Sequence, residues 1–191
     1  MRPLPKSPFP PYFALFLDNP VRRLLIDRER FLRSMGIKKG DRVLEVGCGP
    51  GFFTTVLSSI VGDRGKVYAQ DVEEAMIMRV KKKLVRLGCQ NVRLLLCNSS
   101  SLELPRDSCD VVFCANVFEE IYKEGELEET IIEIDRLLKD NGILVIKEHR
   151  LGGTLSIIKE IETRFIDLGY KEILNDKTFL SYHMKLLKSS K

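Results

Sequence analysis

Val43-Leu44-Glu45-Val46-Gly47-Cys48-Gly49-Pro50-Gly51-Phe52-Phe53-Thr54 decides how this chain is read. Its apolar start predicts a short buried strand, its alternate glycines a turn, and the residues after Gly51 the opening of a helix. Lacking Cβ atoms, the glycines let a ligand approach the backbone and tolerate positive φ. A helix start also aims free backbone N–H groups at whatever lies above it. Such a strand–turn–helix holds a nucleotide-like cofactor; the plainer alternative is a tight turn with no ligand.

Spacing narrows the choice. The dinucleotide fingerprint is G-x-G-x-x-G, with a pyrophosphate on the helix N-terminus. Here the glycines read G-x-G-x-G and Glu45 precedes them. A carboxylate at that point repels a pyrophosphate and suits the ammonium of an amino-acid-like ligand, which argues against a nicotinamide-dependent oxidoreductase. The segment resembles motif I of the class I S-adenosylmethionine-dependent methyltransferases, written [VIL]-L-[DE]-[VIL]-G-x-G-x-G. The resemblance implies S-adenosyl-L-methionine as cofactor and S-adenosyl-L-homocysteine as product. It places Glu45, Gly47, Cys48, Gly49 and Gly51 in the cofactor-binding set.

Working outward, 191 residues with 44% hydrophobic content suit one domain with a sizeable core. The expected division is a single domain over 1–191, with an N-terminal arm and helix over 1–40 and a cofactor-binding core over 41–191. No apolar run approaches the length that crosses a bilayer, and the proline-rich N-terminus lacks the pattern of a signal peptide. Five cysteines, an odd number with no CxxC, read as reduced core residues of a cytoplasmic protein. With two distant histidines, no metal site is expected. Arg79, Lys81, Lys82, Lys83 and Arg86 make a basic helical segment. It reads either as a solvated face or as an RNA-binding patch, and no aromatic residues interleave to stack bases.

Residues 1–18 carry most of the prolines together with Phe9, Tyr12, Phe13 and Phe16. This stretch is the expected lid, and Tyr12 and Phe13 are the substrate-side candidates, with core packing as the other reading. A helix is expected from Asn19 as N-cap and Pro20, with Val21, Leu24, Leu25, Phe31, Leu32 and Met35 on one face and Gly36 as the stop. From Asp41 strand and helix alternate. Strands are predicted near 42–47, 66–70, 92–97, 110–115 and 142–148, and helices near 52–61, 73–87, 126–139 and 154–168. The helix over 73–87 shows Met76, Val80, Leu84 and Leu87 on one side. Near-continuous apolar runs such as Val111-Val112-Phe113-Cys114 indicate parallel strands covered on both faces. Two closing strands near 171–175 and 179–187 lack a helix between them. Five parallel strands plus a terminal hairpin resemble the methyltransferase sheet. That implies an α/β, Rossmann-like seven-stranded sheet of order 3-2-1-4-5-7-6, mostly parallel with the last strand antiparallel, and helices on both faces.

Further segments name further site candidates. Asp71 ends the strand Val67-Tyr68-Ala69-Gln70-Asp71, where a carboxylate accepts from ribose hydroxyls; it can also serve a helix start. Val72 offers an apolar side to adenine. Asn98-Ser99-Ser100-Ser101-Leu102-Glu103-Leu104-Pro105 is similar to the family segment D-A-x-x-L-P-x-P, whose first residue binds the adenine amino group. Asn98 replaces the usual aspartate and can still accept from an amino group, while the Ser99 N–H serves adenine N1; plain loop polarity is the other reading. Asp110 to Ile121 resembles F-D-x-V-x-x-x-x-x-L-E-H-[IV] of the group that includes the ubiquinone and menaquinone biosynthesis methyltransferases. This implies Ala115 and Asn116 beside the methionine part of the cofactor. Glu120 stands where that group often carries histidine.

A sulfonium methyl is already an activated electrophile, so transfer is an in-line displacement that asks for alignment and exclusion of water. A general base is needed only where the acceptor must lose a proton. Glu119, Glu120 and His149 are the candidates. Each has a plainer reading, as helix N-terminal acids or as a surface histidine, and His183 is expected to be structural. The leading expectation is a methyltransferase acting on a small organic acceptor. The rivals are an RNA or protein methyltransferase and a non-catalytic S-adenosylmethionine-binding regulator or scaffold. Acceptor and oligomeric state are not encoded in these motifs.

Overall fold

Strand and helix alternate from Asp41 onward as the apolar pattern requires. The computed structural model describes residues 27–149, 154–177 and 181–190. The seven strands among them form one sheet in the order β3-β2-β1-β4-β5-β7-β6, as expected. Chain contacts group into two compact units, one ending at Ser99 and the other beginning at Ser100.

In the first unit, helix α1 (Arg28–Ser34) starts where the Asp27 carboxylate accepts the Arg30 N–H at 3.0 Å, and it buries Leu32. Asp27 has the non-helical backbone of an N-cap (φ −71, ψ 86), so the expected helical face does not run through it; Asn19, Pro20, Val21, Leu24 and Leu25 lie outside the described residues. Strand β1 (Arg42–Val46) pairs in parallel with β2 (Lys66–Asp71), Val46 opposite Gln70, and β2 pairs in parallel with β3 (Val92–Leu96). Helix α2 (Thr54–Val61) follows β1, and α3 (Glu74–Leu87) follows β2. Val43, Leu44 and Val46 are fully buried, as strands covered on both faces must be. Helix α3 buries Met76, Ile77, Val80 and Leu84, while Lys81, Lys82 and Arg86 face solvent. Leu87, expected on the buried side, is exposed instead, because the helix ends there and Gly88 turns the chain at φ 66.

In the second unit, β4 (Cys109–Ala115) runs parallel to β5 (Leu138–His149). Between them lie a short helix α4 (Phe118–Lys123), not expected as a separate element, and α5 (Leu127–Leu137). Helix α5 ends two residues earlier than expected and passes directly into β5. Leu138 already has the extended backbone of a strand (φ −78, ψ 129). The early start is absorbed by a register shift between Cys109 and Val111 and by Asn141 at φ 60. Gly142 belongs to that tight passage, since a Cβ there would lie 2.8 Å from the Lys139 carbonyl oxygen. Helix α6 (Thr154–Asp167) then leads into β6 (Tyr170–Lys177) and β7 (Ser181–Lys188). β7 is antiparallel to both β5 and β6, as the expected closing hairpin demands. Tyr182, Met184, Leu186 and Lys188 alternate with half-buried residues along β7, and the Lys188 ammonium donates to the Leu138 carbonyl at 2.7 Å.

Candidate functional site

The strand ends of the first unit build the glycine turn. Gly47, Gly49 and Gly51 have φ of 68°, 51° and 81°, so all three use the left-handed region that favours glycine. They differ in their surroundings. A Cβ on Gly51 would lie 3.1 Å from Val80 Cγ2, so this glycine admits close packing of α3. A Cβ on Gly49 would meet nothing within 4 Å, so that glycine opens onto free space. The turn is closed by its own Gly51 N–H to Cys48 carbonyl bond at 3.0 Å and is held from outside by its neighbours. Gly47 N–H donates to Gln70 Oε1 at 3.1 Å, Cys48 N–H to the Gln70 carbonyl at 2.8 Å, and Gly49 N–H to Asp71 Oδ2 at 2.7 Å. From outside the turn, Arg28 donates to the Phe52 carbonyl at 2.6 Å and lays its guanidinium 4.9 Å from the Phe52 ring centre.

Asp71 does two structural jobs with two oxygens. Oδ2 holds Gly49, and Oδ1 accepts the Glu73 N–H at 2.9 Å ahead of α3. Burial raises its carboxyl above the ordinary value, and the N–H groups of Glu73, Gly49 and Val72 pull it back down. Glu45 is buried and accepts from Thr54 Oγ at 2.6 Å. Burial pushes its carboxyl up to about 8; the Thr54 hydrogen bond and the Lys83 charge oppose this, and the Asp71 charge adds to it. The buried Cys48 thiol is raised well above its usual value, first by burial and then by the charges of Glu45 and Asp71, so it is a protonated thiol. Asn98 and Ser99 are buried just beyond β3, and Val72 is half-buried. The turn thus gathers Glu45, Gly47, Cys48, Gly49 and Asp71 at the carboxyl ends of β1 and β2.

Two residues of this unit were missed by sequence reading. Gln70 is buried and joins the ends of two strands, accepting from Gly47 and donating to the Cys97 carbonyl. The available signal was a polar residue within an otherwise apolar strand, just ahead of Asp71. Lys83, read only as part of a basic segment, donates to the Pro50 carbonyl and so braces the turn.

The second unit places its candidates at the carboxyl ends of β4 and β5. Asn116 follows Ala115 with φ 55, and its N–H donates to the Lys147 carbonyl at 2.8 Å. Its side-chain Oδ1 is buried and finds no hydrogen-bond partner among the described residues. Glu148, also missed, is buried and accepts at Oε1 from the N–H groups of Val117 (2.9 Å) and Phe118 (3.1 Å). Burial pushes its carboxyl up to about 7 against those two donors and Lys147. Glu119 and Glu120 stand in the first turn of α4, each paired with Lys123 at 3.0 and 3.1 Å. His149 is exposed at the end of β5, opposite Ser181 of β7. Tyr12 and Phe13 lie outside the described residues. Among the described residues no group of three or more His, Cys, Asp or Glu side chains gathers as a metal site.

A methyltransferase-domain family matches residues 37–183. The chain belongs to that family. The methyltransferase domain here is 32% identical over 127 residues to the demethylmenaquinone methyltransferase of Geobacillus stearothermophilus, covering 66% of this chain and 53% of that protein. It is 30% identical over 152 residues to the ubiquinone/menaquinone biosynthesis C-methyltransferase of Ectopseudomonas mendocina, covering 77% and 58%. The chain spans about half the length of the curated relatives it matches. A solved S-adenosylmethionine-dependent methyltransferase from Aquifex aeolicus superposes with a TM-score of 0.82 at 30% identity, covering 94% of this chain and 98% of that one. The strand order of this methyltransferase domain agrees with that membership.

Proposed function

We propose that this chain transfers a methyl group from S-adenosylmethionine to a small organic acceptor. The observation that carries the reading is the bond from Gly49 N–H to Asp71 Oδ2, beside open space at the Gly49 α-carbon. It leaves an open glycine α-carbon next to a buried carboxylate that can accept from ribose hydroxyls. Asp71 would hold the ribose, Val72 the adenine face, and Asn98 with Ser99 the adenine edge. Glu45 would face the ammonium, and Gly47, Cys48, Gly49 and Gly51 would let the cofactor lie against the backbone. Roles for Ala115 and Asn116 at the methionine end rest on the family likeness. The bound cofactor would supply a methyl already activated on sulfonium, so the protein's own work is alignment and exclusion of water.

The names of the relatives point to quinone-type precursors as the acceptor class. Treating 1–191 as one methyltransferase domain, with residues 1–40 on the acceptor side, belongs to the same proposal. So does a cytoplasmic setting, which the five free cysteines support. Calorimetric titration with S-adenosylmethionine and S-adenosylhomocysteine, followed by transfer of labelled methyl to fractions of a small-molecule extract, tests the reading. Binding of both ligands and label in a small organic product are expected. Tight NADH binding without S-adenosylmethionine binding would overturn it, and label retained in RNA or protein would overturn the small-acceptor part.

A further inference from the structure

The sheet ends in two edge strands, β3 and β6, and they are defended differently. β6 carries exposed Lys171, Glu172 and Asp176, and its register shifts between Glu172 and Leu174. Charges and bulges of that kind keep an edge from pairing with another chain. β3 reads Val92-Arg93-Leu94-Leu95-Leu96 and pairs with β2 without a shift. The Asn91 carbonyl accepts the Val67 N–H at 2.9 Å, and the Cys97 N–H donates to the Asp71 carbonyl at 3.2 Å, both toward β2. Backbone groups alternate in direction along a strand, so those of Val92, Leu94 and Leu96 point to the open edge.

The side chains of the same three residues line a groove beside α3. Its other wall includes one stripe of the helix, Glu74, Met78, Lys81 and Val85, at three-to-four spacing. Met78 and Leu96 are nearly half exposed, and Val85 is 77% exposed. An apolar wall beside an unpaired strand edge suits an added strand that brings its own apolar side chains. The stripe is also polarised. Glu74 lies in the first turn of α3 and Lys81 about two turns later. A second α3 laid antiparallel alongside sets each Glu74 toward the half that carries the other Lys81.

We propose that β3 pairs antiparallel with β3 of a second copy of this chain, about a two-fold axis at Leu94, and joins the two sheets into one. Val92 then faces Leu96 of the second copy and Leu94 faces Leu94, and each pair exchanges both of its N–H···O bonds. Residues so paired share a face, so the apolar row of one groove continues into the other. On that face the two α3 stripes run antiparallel, Met78 and Val85 cover the row, and Glu74 of each copy meets the Lys81 half of the other. Arg93 projects from the opposite face of the strand and stays out of the groove. The occupant is a second copy because the fit is self-complementary: one strand and one stripe supply both halves, in apolar surface, backbone groups and charge.

Sedimentation velocity on the 191-residue chain tests the interface. Wild type is expected to dimerise with a Kd on the order of 10 µM, within the span of small interfaces. Leu94→Pro removes an N–H that β2 does not use, so the single chain keeps its fold, and Kd should rise about tenfold. Val85→Glu changes a side chain exposed in the single chain and sets an acid against Glu74 of the second copy, so it should weaken the dimer as well. Glu74→Lys should raise Kd about threefold, and Glu74→Lys combined with Lys81→Glu should restore it. Circular dichroism and thermal unfolding report whether each variant is folded; should Leu94→Pro fail to fold, Val85→Glu decides. A wild type that stays monomeric up to about 200 µM would overturn the proposal. So would a dimer that Val85→Glu leaves intact, or a single chain that takes up a different protein or peptide at this edge. A double charge swap that fails to restore the dimer would overturn the antiparallel arrangement.

Discussion

Asp71 and Glu148 are two buried carboxylates at the carboxyl ends of parallel strands, and each accepts two backbone N–H groups. They differ in how they share the work. Asp71 accepts Gly49 on one oxygen and Glu73 on the other, so both of its oxygens hold the backbone around the turn. Glu148 takes both Val117 and Phe118 on Oε1 and pins a single loop. The first is a holder whose partners lie within one strand–turn–helix neighbourhood. The second is a clamp on residues about thirty positions away. A carboxylate at a strand end thus braces a nearby turn or a distant loop according to which backbone N–H groups it accepts.

Replacing each carboxylate by alanine breaks the comparison most directly. Asp71→Ala should weaken S-adenosylmethionine binding by about 1–3 kcal/mol, the scale of a lost charged hydrogen-bond partner. Unchanged affinity in the folded variant, by calorimetry, would remove its ribose role. Glu148→Ala orphans the buried Phe118 N–H and the half-buried Val117 N–H and should lower unfolding stability by about 1–3 kcal/mol in a urea titration. A stability equal to wild type would mean that the loop after Ala115 needs no clamp.

Smaller effects separate the glycines. Alanine at either Gly49 or Gly51 carries a left-handed backbone strain of about 1–2 kcal/mol. Gly51→Ala adds a contact with Val80 and should be the less stable of the two in thermal unfolding. Gly49→Ala should show the larger loss of cofactor affinity relative to its stability change. Equal behaviour on both measures would erase the distinction between a packing glycine and a ligand-side glycine.

The pH dependence is the finest probe. Glu45 and Glu148 carry folded-state values of about 8 and about 7, above the 4.5 of a free glutamate. Above 4.5 the unfolded chain gives up these protons while the folded chain keeps them. Their contribution is therefore fully present below 4.5 and is lost as pH rises through about 7 and then about 8. The melting temperature of the cofactor-free protein should fall across that window, and Glu45→Gln or Glu148→Gln should each flatten part of the fall. A flat profile in wild type would show that neither carboxylate is held protonated.

The alternation of strands and helices, and their order in the sheet, were legible because apolar periodicity is local and the family's motifs are contiguous. Motif I and Asp71 could be read for the same reason, since a strand, its turn and the acid of the next strand lie within thirty residues. Leu87 and the early start of β5 escaped, because a helix end and a bulge are set by backbone geometry that the apolar pattern does not carry. Gln70 and Lys83 escaped because a polar residue in a strand, or one lysine among several, shows its partner only after folding.

By itself the sequence determined the α/β alternation, the family and the glycine turn with its acid. These depend on residue type at short spacing, where steric freedom and side-chain charge act locally. Only the tertiary structure decided which backbone N–H groups each carboxylate accepts, which glycine faces open space, and that Lys147, His183 and Asp176 share one row of the sheet. Strand register fixes those relations between residues far apart in the chain, and hydrogen bonding across the sheet, not local preference, sets the register.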